Sequence, residues 1–238
     1  MNKYFNQFRS VALVAALAGA ASIGAASAAT PDSAVKLLTA NFETRDVVQV
    51  EVGDFHFAPG QVAPVHTHSA PAVGFVAKGA IIYQVEGEAP QLLQTGDVFY
   101  EPVGPRILRF DNFSATEEAI FIDFNLEQVG EPFIVFEEQP TEAIDRRTLP
   151  TIDLGEQTVD RVDIYSRDLE PGQSLELEVS VPTLGLVAQG IIEIAHQAGT
   201  VERLVAGQTF SLSSQKAHHT ISNGSPEVRA QVITFRLQ

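Results

Sequence analysis

The chain has no cysteine, no tryptophan and a single methionine, Met1. Without cysteine there is no thiol nucleophile, no disulfide framework, no iron–sulfur cluster and no zinc site of the finger type. Basic charge is scarce as well: 15 Lys and Arg stand against 30 Asp and Glu, a formal net charge of −15 over 238 residues. No Lys/Arg patch of the kind that neutralises phosphates is present, so nucleic acid is excluded as a partner. Apart from one stretch near the start, no apolar run is long enough to span a bilayer. There is also no phosphate-binding loop, serine nucleophile elbow or dinucleotide fingerprint. What is present, 45% hydrophobic and 19% charged residues, suits a folded chain with a core.

The exceptional stretch reads as a secretory signal peptide over residues 1–28. Lys3 and Arg9 precede a run of apolar and small residues from Val11 to Ala25, and Ala26-Ser27-Ala28 supplies a small-x-small cleavage pattern. The alternative is a retained anchor, for which the run is short and rich in small residues. No cysteine follows it, so lipid attachment is excluded. Cleavage after Ala28 would leave a sulfur-free mature chain with no membrane segment, periplasmic or secreted.

The remainder alternates with a period of two. Val48, Val50 and Val52 interleave with Gln49 and Glu51, and Leu175, Leu177 and Val179 with Glu176 and Glu178. Such alternation predicts strands with one wet and one dry face. The chain also resembles itself. GFVAKGAII at 74–82 matches GLVAQGIIE at 185–193, an offset of 111. At that offset Gly96 meets Gly207, Phe99 meets Phe210, Asn112 meets Asn223, and Ile122, Phe124, Leu126 meet Ile233, Phe235, Leu237. Pro59-Gly60-Gln61 recurs as Pro171-Gly172-Gln173. So regular an offset indicates a duplicated unit of about eight strands, hence two small barrels rather than a solenoid. The expected division is a first barrel over 29–127, a linker over 128–158 whose PFIVF run (132–136) docks as a strand, and a second barrel over 159–238. Their strand edges would pair between halves or between chains, as in a homodimer.

The repeat resembles the cupin superfamily, jelly-roll barrels with a ligand or metal site inside. Gly60, His66, His68 and Gly79 fit the first motif of that family, and Gly96, Pro102 and Gly104 fit the second. The resemblance implies an all-β bicupin of two tandem jelly-roll barrels. Its departures bear on function. The Glu position of the first motif holds Ala72, and the His position of the second holds Ile107 or Leu108. In the second barrel the His-x-His positions become Leu177 and Val179, or Glu178 and Ser180, while His218 and His219 remain near Asn223.

His66 and His68, two apart on a strand, project from one face and could share a divalent ion (Fe, Mn, Zn, Ni or Cu). The alternative is a vestigial pair hydrogen-bonded to backbone or water. Glu101 aligns with Leu212, two residues beyond a Phe in each half, so if Leu212 faces the second core Glu101 faces the first interior. It would then complete a two-His, one-carboxylate set; otherwise it is a solvent-facing Glu or pairs with Arg106 at a strand end. Tyr83, on the face of Ile81 and Val85, is a candidate proton donor or ligand contact, or an ordinary core aromatic. Arg109 or Arg106 is a candidate clamp for an anionic ligand. His56, flanked by Phe55 and Phe57, falls outside the barrel. His196 with His218 or His219 forms either a polar patch or unremarkable histidines. Asn112-Phe113-Ser114 and Asn223-Gly224-Ser225 resemble glycosylation triplets, but their shared repeat position indicates turns. The expected function is binding of a small molecule in the first barrel around a weakly held metal. The alternatives are a metal-dependent dioxygenase, decarboxylase, isomerase or lyase, which the resemblance implies, and a purely structural role.

Overall fold

The structure, a computed structural model, describes residues 34–196, 199–213 and 217–238. The expected signal peptide lies outside the described residues. Every regular element among them is a strand. In the first half these are β1 (Val35–Phe57), β2 (His66–Thr67), β3 (Ala72–Lys78), β4 (Ala80–Val85), β5 (Gln91–Gln94), β6 (Val98–Glu101), β7 (Ile107–Asn112) and β8 (Ala119–Glu127). Two short strands follow, β9 (Val135–Phe136) and β10 (Asp145–Thr148). The second half comprises β11 (Ile152–Leu169), β12 (Ser174–Val179), β13 (Thr183–Gln189), β14 (Ile191–Ala195), β15 (Val201–Val205), β16 (Thr209–Leu212), β17 (Ala217–Asn223) and β18 (Ala230–Leu237). Strand β11 thus begins inside the stretch read as linker. No helix among the described residues is long and apolar enough to cross a membrane.

One nine-stranded sheet runs through both halves in the order β16-β13-β18-β11-β1-β8-β3-β6, with β10 added to β1. A five-stranded sheet, β5-β4-β7-β2-β9, encloses the first interior against it, and a four-stranded sheet, β12-β17-β14-β15, encloses the second. The result is two tandem jelly-roll barrels, as the alternation and the repeat led one to expect. Antiparallel pairing of β1 with β11, from Val35–Ser166 to Val50–Ile152, joins them within a single chain.

Local structure repeats with the residues. Gly74 and Gly185 each lie so close to a ring, Phe99 and Phe210, that an added Cβ would come within 2.1 and 2.0 Å of it. Only a glycine lets the ring cross the strand there. Buried Asn112 donates to the carbonyls of Phe57, Ala58 and Glu117 at 2.8–3.1 Å and accepts from the Ser114 amide. Asn223 repeats this with Leu169, Val228 and Ser225. Both asparagines therefore tie turns to the neighbouring strand, the role their shared position indicated.

Each barrel has its own apolar interior, and a third cluster spans both halves. In it Val52, Ile122 and Leu126 of the first half share a core with Val162, Leu186 and Ile233 of the second. The equivalent rings Phe124 and Phe235 meet there with centroids 4.6 Å apart. The linker does not hang free. Its PFIVF run adds β9 to β2 through His66–Phe136 and Thr67–Val135, and β10 pairs with residues 53–56 of β1.

Candidate metal centre

His66 lies on β2, which is only two residues long, and His68 just beyond it, where a bridge to Val103 fixes the chain. Both side chains turn inward and both residues are 3% exposed. The rings stand edge to face with centroids 5.4 Å apart. Glu101, the last residue of β6, is 2% exposed and lies between them. Its Oε1 is 3.6 Å from His66 Nε2 and its Oε2 3.2 Å from His68 Nε2. Of the two readings of Glu101, the interior one is therefore found: Leu212 is buried in the second core, and Arg106 pairs with Glu137 and Glu86 instead.

The origin of this carboxylate can be read from strand register. Ala72, where the cupin motif would carry a Glu, is the Cα partner of Glu101 across the β3–β6 ladder. Paired residues in an antiparallel ladder present their side chains to the same face. The carboxylate absent from β3 is thus supplied from the adjacent strand. At the second-motif His position, fully buried Ile107 pairs with His66 and offers no donor.

These atoms fit a metal ion. Nitrogen and oxygen ligands bound about 2.1 Å from one ion at tetrahedral or right angles lie roughly 3.0–3.4 Å from each other, close to the separations found. His66 Nδ1 contacts the Pro64 carbonyl at 2.8 Å, so it carries the proton and leaves the Nε2 lone pair toward Glu101. Both ring nitrogens of His68 and Oε1 of Glu101 are buried without a hydrogen-bond partner. A buried carboxylate and an orphaned imidazole are costly unless a cation or donors meet them. One donor atom from each of the three residues lies within 4.8 Å of the others.

Protonation is tightly linked across the group. Burial alone would raise the Glu101 pKa, but the charge on His68 and the nearby His66 imidazole bring it down to about 2. Burial opposes charge on His68, yet Glu101, with Asp123 and Asn125, raises its pKa above the ordinary value. Asp123, on β8, is 2% exposed and lines the same cavity, and its Oδ1 has no partner. Burial and the Glu101 charge push its pKa well above the usual range, outweighing His68 and Arg146.

Asp123 was not foreseen. Its signal lay in β8, where residues 121–127 are buried on both faces, so polar side chains there must face an interior. The covering of the site was missed too. A cavity of about 30 Å³ beside the triad is walled by Phe55, Phe57, Phe110 and Phe121, and closed by Ile134, Phe136 and Ile144 of the linker. That leaves room for about one water molecule.

Other expected site residues lie elsewhere. Tyr83 is an ordinary core aromatic: its hydroxyl donates to the Tyr100 carbonyl, and its ring packs on Phe99 and Phe110. It lines a separate cavity of about 260 Å³ with Leu93 and Tyr100. Burial, with Glu101 and other charges, raises its pKa. The Arg109 guanidinium is held 2.7 Å from Asp111 on the same strand. His56 points away from the barrel interior toward Asp54 and Glu118. His196 and His219 approach each other in the second barrel.

Residues 53–124 match the cupin domain family. No curated protein matches the chain. Solved structures that share its fold include the following three. AerE from Microcystis aeruginosa is 16% identical, with a TM-score of 0.57 over 85% of this chain and 98% of that one. Salicylate 1,2-dioxygenase from Pseudaminobacter salicylatoxidans is 15% identical, with a TM-score of 0.56 over 80% and 71%. Vicilin from Corylus avellana (hazelnut) is 14% identical, with a TM-score of 0.56 over 84% and 85%. The domain match and these folds support the cupin superfamily.

Proposed function

We propose that this chain is an exported cupin whose first barrel holds one divalent transition-metal ion on His66, His68 and Glu101 and presents it to a small oxygen-bearing molecule. The carrying observation is convergence. Two imidazoles, from β2 and the residue just beyond it, and a carboxylate from β6 converge, all buried, with both His68 nitrogens and Glu101 Oε1 lacking a hydrogen-bond partner. Two imidazoles and one carboxylate form the donor set of non-haem iron centres, and Fe, Mn, Zn, Ni and Cu all accept such ligands. A bound ion would polarise a ligand oxygen or lower the pKa of a bound water. The chain's own residues do the rest. The Pro64 carbonyl orients the His66 ring, the phenylalanine walls keep out bulk water, and the strap over 131–147 admits or excludes the ligand.

Turnover, of the dioxygenase, decarboxylase, isomerase or lyase kind, is the second reading, and Asp123 favours it. Its carboxyl lines the metal cavity, where burial and the Glu101 charge favour the neutral form, and is placed to exchange a proton with a ligand there. Salicylate 1,2-dioxygenase, which shares the fold, is an example of such chemistry on this scaffold.

Metal analysis of protein purified without a His tag tests the first reading. Wild type is expected to hold one more equivalent of metal than the His66→Ala/His68→Ala chain. If both carry the same amount after soaking in each candidate metal, the reading fails. Screening keto acids, phenols and sugars for turnover with the loaded protein decides the second.

A further inference from the structure

The second barrel exchanges imidazoles for aliphatics, and aliphatics for imidazoles, at matching positions. In the first barrel His66 pairs with Ile107, and Ile107 with Val85. In the second, Leu177 pairs with His219, which follows the Ala195–Thr220 pair and so sits beside His196. Leu177 and Val179 thus occupy the positions of His66 and His68, buried and apolar. His196 and His219 occupy those of Val85 and Ile107.

The two rings stand edge to face with centroids 5.2 Å apart. His219 is 6% exposed, and both its ring nitrogens are buried without a hydrogen-bond partner. A buried neutral imidazole ordinarily satisfies one nitrogen as donor and the other as acceptor. The acceptor nitrogen of such a ring, beside a second imidazole, is free to ligate a cation. His196 Nε2 lies 3.5 Å from Glu202 Oε2, a carboxylate whose side chain is 46% exposed.

We propose that His196, His219 and Glu202 form a second cation site, on the rim of the C-terminal barrel, that takes a borderline divalent ion such as Zn²⁺ or Cu²⁺. Imidazole donors suit these ions. The half-exposed carboxylate makes the site more open and more readily exchanged than the enclosed triad of the first barrel.

Equilibrium dialysis of the chelator-stripped full chain against Zn²⁺ tests this independently of the first site. His219→Ile and His196→Val install the residues that the first barrel packs at these positions, so the barrel should still close. The His66→Ala/His68→Ala chain is expected to bind one Zn²⁺, and adding either aliphatic substitution should remove it. Glu202→Gln should weaken that ion roughly tenfold. The proposal is overturned if the double-alanine chain binds no Zn²⁺, or if both aliphatic substitutions leave its one ion in place. A wild type whose single ion disappears with His66 and His68 sustains the first site and refutes the second. A single ion that survives their loss and disappears with His219→Ile does the reverse.

Discussion

Phe136 sets its ring edge-on to His66, with centroids 5.9 Å apart, while its backbone pairs with the same residue. The strap is thus fastened to the strand that carries the imidazole pair, so any motion of it reaches the donors directly. Further along, the Arg146 guanidinium lies 3.7 Å above the Phe133 ring and pairs with Glu51. Replacing Phe136 by Ala should speed loss of bound metal to a chelator several-fold while wild-type stoichiometry is kept. Phe133→Ala, which empties a buried position, should lower stability by about 3 kcal/mol. Stopped-flow chelation and urea unfolding read the two effects separately. Unchanged chelation in Phe136→Ala would show that the strap is not the route of entry.

The Ala72–Glu101 pairing allows a transplant. Glu101→Ala should abolish metal binding at the first site, and adding Ala72→Glu should restore it at least partly, because the new carboxylate starts from the facing position of the same ladder. Competition against a metallochromic indicator measures this. No recovery in a well-folded double variant would mean that the strand of origin matters as well as the charge.

Asp123 has a folded pKa raised above its unfolded value, so its contribution to stability declines as pH climbs beyond the ordinary Asp pKa of 3.8. Asp123→Asn, neutral and of the same shape, should therefore stabilise the metal-free protein at pH 7 by on the order of 1 kcal/mol. The advantage should vanish near pH 3. Urea midpoints at the two pH values supply the comparison.

Glu101 behaves oppositely. Its pKa falls from 4.5 to about 2 on folding, so its stabilisation is complete above pH 4.5 and lost as pH falls toward 2. The limiting slope is about 1.4 kcal/mol per pH unit. His68, with its pKa raised on folding, contributes below the ordinary imidazole value of 6.5 and loses that contribution as pH rises through its folded value. In Glu101→Gln both dependences should flatten together. A variant that keeps the wild-type acid profile would show that Glu101 does not carry it.

How far residues alone reveal this molecule depends on which periodicity each element obeys. The alternation at Leu175–Val179 and the offset linking Phe99 to Phe210 reflect a core with one dry face per strand, and both barrels were legible from them. Glu101 was legible through the same offset, because its counterpart Leu212 had to face inward. Strand β8 obeys no alternation, since packed cores cover both its faces, so Asp123 looked like any acidic residue among apolar ones. For Tyr83 the shared face with Ile81 and Val85 fixed the inward direction but not the neighbour its hydroxyl finds, so both readings stayed open. The strap's hold on the cavity arises from contacts distant in sequence, which no local pattern encodes.

Strands β1 and β11, 23 and 18 residues long, each spend much of their length covering the other. Severed between β10 and β11, either fragment would expose a long unsatisfied row of amides and carbonyls beside uncovered aromatics such as Phe124 or Phe235. A fragment of this kind tends to recruit a copy of itself along the bare edge or to aggregate. Heat or denaturant should likewise melt the intact molecule in one step, with neither lobe outlasting its twin.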